Sequence, residues 1–200
     1  MWRAVVLAGL WLVQPSPARA EAEETLRLDG IAFAAEHGNL RLLDGWGSGT
    51  FDDPYVVVEE IHGDGASILT IRNVERRFGE PSRFGHGIGF VLQKIVTNRT
   101  SRTWNDFEME LREWLEIPSG YFDGLSFGQA KDRRDDIFFS DVFDSVEILD
   151  EPSDRVVYFT GDVEPGETVT MQLVVTDFSP KSTFYLFQRS DAPLAALDPH

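Results

Sequence analysis

Apolar and polar residues alternate with a period of two along much of this chain. The clearest case is Phe107-Glu108-Met109-Glu110-Leu111-Arg112, where every second residue is apolar. That alternation marks a half-buried strand, with Phe107, Met109 and Leu111 in a core and Glu108, Glu110 and Arg112 turned to solvent or a partner. Residues 169–176 repeat the pattern and send Val169, Met171, Leu173 and Val175 inward. The turn Glu164-Pro165-Gly166-Glu167 precedes them, so residues 156–160 read as the hairpin partner of that strand, and residues 184–187 as the last strand.

Upstream, residues 88–97 are rich in β-branched side chains and run into Asn98-Arg99-Thr100-Ser101, a turn-forming cluster before Trp104. The strands on either side of it are expected to pair antiparallel. Residues 55–58 and 67–71 bracket Gly63-Asp64-Gly65, which predicts a further hairpin. Residues 26–28, 31–33 and 40–43 read as shorter strands, whereas 119–154 is the least regular stretch and is read as arching between sheets. Many short strands with one apolar face must bury that face against another sheet. The expected fold is all-β: a single-domain, antiparallel two-layer β-sandwich, immunoglobulin-like or jelly-roll-like.

The first 20 residues stand apart from this pattern. Arg3, an apolar run over 4–13 and Ala18-Arg19-Ala20 ahead of Glu21 form a secretion signal, expected to be cleaved after Ala20. The run is about half the length that a membrane-spanning helix needs, so no span is expected once the signal is removed. Residues 21–190 are then the exported domain, and 191–200 a disordered tail. The exported chain has no cysteine, which removes thiol catalysis, thiolate metal sites and disulfide staples. The whole chain carries 18 basic and 34 acidic residues, and loss of Arg3 and Arg19 leaves 16 against 34. Such a field repels nucleic acid and anionic membrane, and it favours cationic partners.

Residues 88–188 carry a recognisable order of features. A strand leads into Thr103-Trp104-Asn105-Asp106-Phe107, followed by Asp123-Gly124-Leu125-Ser126-Phe127 and then Phe159-Thr160-Gly161-Asp162-Val163-Glu164-Pro165-Gly166. This order resembles the exported β-sandwich domains of bacterial proteins that carry a PEP-CTERM sorting tail; the tail itself has no counterpart in residues 192–200. The resemblance implies a place at the cell surface or in the extracellular matrix more than a chemistry.

Four constellations bear on chemistry. Glu108 and Glu110 resemble the carboxylate strand of β-sandwich glycoside hydrolases, and a retaining pair needs carboxyl groups roughly 5 to 5.5 Å apart; the competing reading is a solvated strand face. Acidic loops could supply oxygen ligands to calcium, with Asp132, Asp135 and Asp136 foremost, although the chain has no EF-hand spacing. Trp46, in a glycine-rich segment, is a stacking platform for a sugar or a protein partner if it is exposed. His37, His62, His86 and His200 are scattered without paired spacing, and Gly47-Ser48-Gly49 lacks the context of a serine nucleophile and reads as a flexible loop. The functional expectation is a non-catalytic binding or structural module in the periplasm, in the matrix or at the cell surface, with a protein or polysaccharide partner and no required cofactor. The alternatives are a small carbohydrate-active enzyme using Glu108 and Glu110, and a calcium-stabilised adhesion module.

Overall fold

The alternation around Leu111 forms a strand, and the rest of the chain builds two sheets on either side of its apolar face. The computed structural model describes residues 24–37, 39–74, 88–120, 122–128, 137–150, 152–178 and 181–190. The expected secretion signal, the His86 glycine run, Asp132, Asp135 and Asp136, and the residues after Ser190 lie outside the described residues, as does the His37 side chain.

Thirteen strands follow in order among the described residues: β1 (Glu24–Leu28), β2 (Ile31–His37), β3 (Leu40–Trp46), β4 (Tyr55–Ile61), β5 (Ser67–Arg72), β6 (Ile88–Asn98), β7 (Trp104–Arg112), β8 (Leu125–Phe127), β9 (Phe139–Ser140), β10 (Ser145–Leu149), β11 (Arg155–Val163), β12 (Thr168–Asp177) and β13 (Thr183–Ser190). One sheet has the order β1-β2-β5-β13-β7-β11-β10, the other β3-β4-β6-β12-β8, with β9 also paired to β12. The two pack face to face as an all-β sandwich. The predicted inward residues Phe107, Met109, Leu111, Val169, Met171, Leu173 and Val175 are all fully buried. At about 1.5 to 3 kcal/mol per large apolar side chain, that shared face is what holds the sheets together.

Three expected hairpins are arches instead. β4 and β5, β6 and β7, and β11 and β12 each lie in different sheets. The physical reason is that loop length leaves the choice open: paired strands stand about 4.8 Å apart and packed sheets about 10 Å apart, and a loop of four or five residues spans either gap. Because every arch reverses the chain, the excursion from β4 to β5 and back brings β6 in parallel to β4, with Val57 opposite Lys94; the other pairings are antiparallel. A short turn that does close a hairpin is Asp29-Gly30 between β1 and β2, where both residues have positive φ (45° and 94°), as a two-residue turn matched to strand twist requires.

Asn98 ties two of these arches together. Its Nδ2 donates to the carbonyls of Arg102 (2.8 Å) and Val163 (2.9 Å), and its Oδ1 accepts from the Thr100 amide (2.9 Å) and hydroxyl (2.7 Å). Its backbone adds bonds with Gly166 and Glu167, while the Arg99 amide donates to the Ile61 carbonyl. The residue that looked like a surface turn is fully buried, and it satisfies backbone groups that the crossings would otherwise leave unpaired.

Candidate functional site

Strand β7 sits between β13 and β11, so whatever it presents outward is flanked by side chains from both neighbours. Glu108 lies opposite Arg189 of β13, and Arg155 of β11 lies opposite Glu110. Glu108 Oε1 accepts from Arg189 Nη2 at 2.5 Å, and Arg155 Nη1 stands 3.8 Å from Oε2. Glu110 Oε1 accepts from Arg112 Nε at 2.6 Å, and Arg112 in turn donates to the Leu115 carbonyl and lies 3.6 Å over the Phe187 ring. The expected solvated face is therefore corrected: Glu108 is only 4 % exposed, and Glu110 and Arg112 are half-buried. Long arginine and phenylalanine side chains lie across the strand and remove it from water. Both carboxylates face guanidinium groups, Glu108 those of Arg189 and Arg155 and Glu110 that of Arg112.

A second group of charged residues faces the other way, between the sheets. On β4 the inward parity runs Tyr55, Val57, Glu59, Ile61, and on β6 it runs Phe90, Leu92, Lys94, Val96. Lys94 Nζ donates to Glu59 Oε2 at 2.6 Å, and neither side chain is exposed at all. Burial pushes the Glu59 carboxyl above its ordinary range and the Lys94 ammonium below its own. From the facing sheet, Gln188 of β13 lies beside the Glu59 carboxylate and favours its charged form. Ser67, its ladder partner on β5, is as deeply buried. Glu59 Oε1, Ser67 Oγ and both amide atoms of Gln188 have no hydrogen-bond partner among the described residues.

Trp46 closes β3 and is 48 % exposed. The segment after it is ordered rather than a flexible loop. The Asp53 carbonyl accepts from the Ser48 and Thr50 amides (3.1 and 3.0 Å), and the Gly49 carbonyl accepts from the Val91 amide (2.9 Å). Gly49 has φ +81°, and a side chain there would stand 2.4 Å from the Tyr55 ring, so glycine is required.

At this same end of the sandwich lie exposed apolar residues that sequence reasoning passed over: Trp114, Ile117, Phe122 and Phe178. Trp114 and Ile117 bridge to each other, Lys181 stands 5.4 Å from the Trp114 ring, and the Phe178 amide donates to the Gly124 carbonyl. Trp114, Ile117 and residues 122–124 thus share one surface with Phe178 and Lys181. Its sequence signal is apolar residues outside any alternation, set among Pro118, Gly120, Asp123 and Gly124. Glu59 and Lys94 also went unread, although extending the parity of their apolar neighbours places both inside.

Among the described residues no group of three or more His, Asp or Glu could hold a metal ion. No helix of the described residues is long and apolar enough to cross a membrane. No protein-family model matches the chain, and no curated protein matches it.

Proposed function

We propose that this protein is a non-catalytic binding module that works outside the cytoplasm and contacts its partner through the loop end bearing Trp114, Ile117, Phe122 and Phe178. The carrying observation is the exposure of these four large apolar side chains on adjoining loops, Phe122 at 95 %. Exposed apolar clusters of this kind mark interaction surfaces. A protein partner fits best, because the branched aliphatic Ile117 stands among the rings where a sugar platform would present flat aromatic faces. The excess of acidic residues favours a basic partner. Support against hydrolysis comes from Glu108 and Glu110, whose carboxylates are each engaged by an arginine side chain.

The test compares wild type with the double variant Trp114→Ala, Phe122→Ala in capture of extracellular proteins and of insoluble polysaccharides. A protein retained by the wild type and released by the variant, with both proteins melting alike, supports the reading. Polysaccharide hydrolysis that disappears with Glu108→Gln and Glu110→Gln would put a glycosidase in its place.

A further inference from the structure

The cluster between the sheets is chemically complete in a way that packing does not require. A fully buried ammonium lies 2.6 Å from a fully buried carboxylate, and a primary amide from the opposite sheet lies beside that carboxylate. A hydroxyl stands on the ladder position opposite the amide, and cross-strand partners point to the same face. The Gln188 amide stands close enough to the Glu59 carboxylate to favour its charged form, yet among the described residues neither of its amide atoms, nor the Ser67 hydroxyl, closes a hydrogen bond of good geometry. Buried polar groups left unpaired this way need an explanation, and a reactive role is among the few available.

We propose that Lys94 and Gln188 are joined by an intramolecular isopeptide bond, formed autocatalytically with Glu59 as proton carrier and Ser67 as donor to the oxyanion. Glu59 takes a proton from the Lys94 ammonium. The free amine attacks Cδ of Gln188, and Ser67 Oγ donates to the oxygen as negative charge gathers there. Collapse of this intermediate breaks the bond between Cδ and the amide nitrogen, which receives the proton that Glu59 holds and leaves as ammonia, while the attacking nitrogen gives up its second proton to the Glu59 carboxylate, so that a neutral amide, ammonia and a protonated Glu59 result. One C–N bond forms, one C–N bond breaks, and no oxidant or reductant takes part.

Burial prepares both groups for these roles, since it disfavours the charged forms of Lys94 and Glu59 and so promotes the proton transfer that starts the sequence. The product replaces a buried ammonium with a neutral amide, which relieves the desolvation cost of the ion pair. Its location has a consequence for the fold as well. β6 is the middle strand of its five-stranded path and β13 the middle strand of the seven-stranded sheet, so the bond would staple the two sheets at their centres in a chain without cysteine.

Mass spectrometry of the purified full chain, its N-terminus read by sequencing, decides the matter. The expected mass is about 17 Da, one ammonia, below that of the sequence, and a digest should yield one branched peptide joining Lys94 to Gln188. Gln188→Glu should still cross-link but with loss of water, about 18 Da below its own sequence mass. Glu59→Gln and Lys94→Met should each show their full sequence mass. A wild type at full sequence mass, with linear peptides covering Lys94 and Gln188, overturns the proposal whatever the variants do. A wild-type deficit of one water mapped to Lys94 and Glu59 overturns the role given to Gln188.

Discussion

Glu59 and Glu60 are neighbours on β4 and meet opposite surroundings. Glu59 points between the sheets, where its cationic neighbour is the equally buried Lys94, and burial raises its pKa. Glu60 points outward, where Arg99 donates to it from Nε at 2.8 Å, His62 Nε2 lies 3.2 Å away, and Arg41 is at the edge of reach. The Arg99 hydrogen bond, the largest effect, lowers its pKa. One backbone step changes the dielectric, the partner and the sign of the shift. A carboxylate in this protein is therefore to be read by the face that its strand parity assigns, because the same side chain is wholly enclosed beside a buried lysine on one face and tied to partly exposed arginine and histidine side chains on the other.

The largest way to break this comparison is to remove the inner partner. Lys94→Met removes the ammonium beside the buried Glu59 carboxyl, and with it the amine that the proposed cross-link needs, and should lower unfolding stability by about 3 to 5 kcal/mol, read from denaturant titration. Adding Glu59→Leu to it should recover part of the loss, since the unpaired carboxyl is then gone. If Lys94→Met cost under about 0.5 kcal/mol, the scale of surface changes, the pair would not be buried as described.

Next in size are the apolar residues of the same inner face. Leu111→Ala and Leu173→Ala should each cost about 2 to 5 kcal/mol, because both side chains are fully buried between the sheets. Their inward register was legible in the sequence, since alternation with a polar partner at every second position fixes a strand's face. What was not legible was pairing. The loops after Ile61, Asn98 and Val163 are rich in turn residues and long enough for a hairpin or an arch, and the choice rests on contacts between distant segments, such as those of Asn98 with Val163 and Gly166. The outward side of β7 escaped for a similar reason. Nothing local to Glu108 announces that Arg155 and Arg189, 47 and 81 positions away by sequence number, fold across it.

On that outward side the effects should be smaller. Glu108→Gln removes a charge that faces two guanidinium groups and should cost about 1 to 3 kcal/mol, the range for a hydrogen bond to a charged group. Thermal or denaturant unfolding measures it. Partner binding through Trp114 and Phe122 should be unchanged in this variant, which separates the ion-paired face from the proposed contact surface. A loss of binding without a loss of stability would move the functional site to β7.

The smallest expected effect is the one that tests the sign of the comparison. The folded pKa of Glu60 lies below the ordinary value of 4.5, so its ion pairs contribute stability that is fully present above that pH and is lost as pH falls through the lowered value. For Glu59 the sign is reversed: with a pKa raised above 4.5, protonation on acidification relieves the buried charge, and that contribution fades as pH rises through the raised value. Glu60→Gln should thus cost under about 1 kcal/mol at neutral pH, as partly exposed ion pairs do, and the difference from wild type should shrink as pH drops below 4.5. Unfolding curves of the two proteins from neutral pH down to pH values below that point give the measurement. A difference that instead grew on acidification would mean that Glu60 is not held in its charged form by Arg99, and the contrast between the two faces of β4 would collapse to one of burial alone.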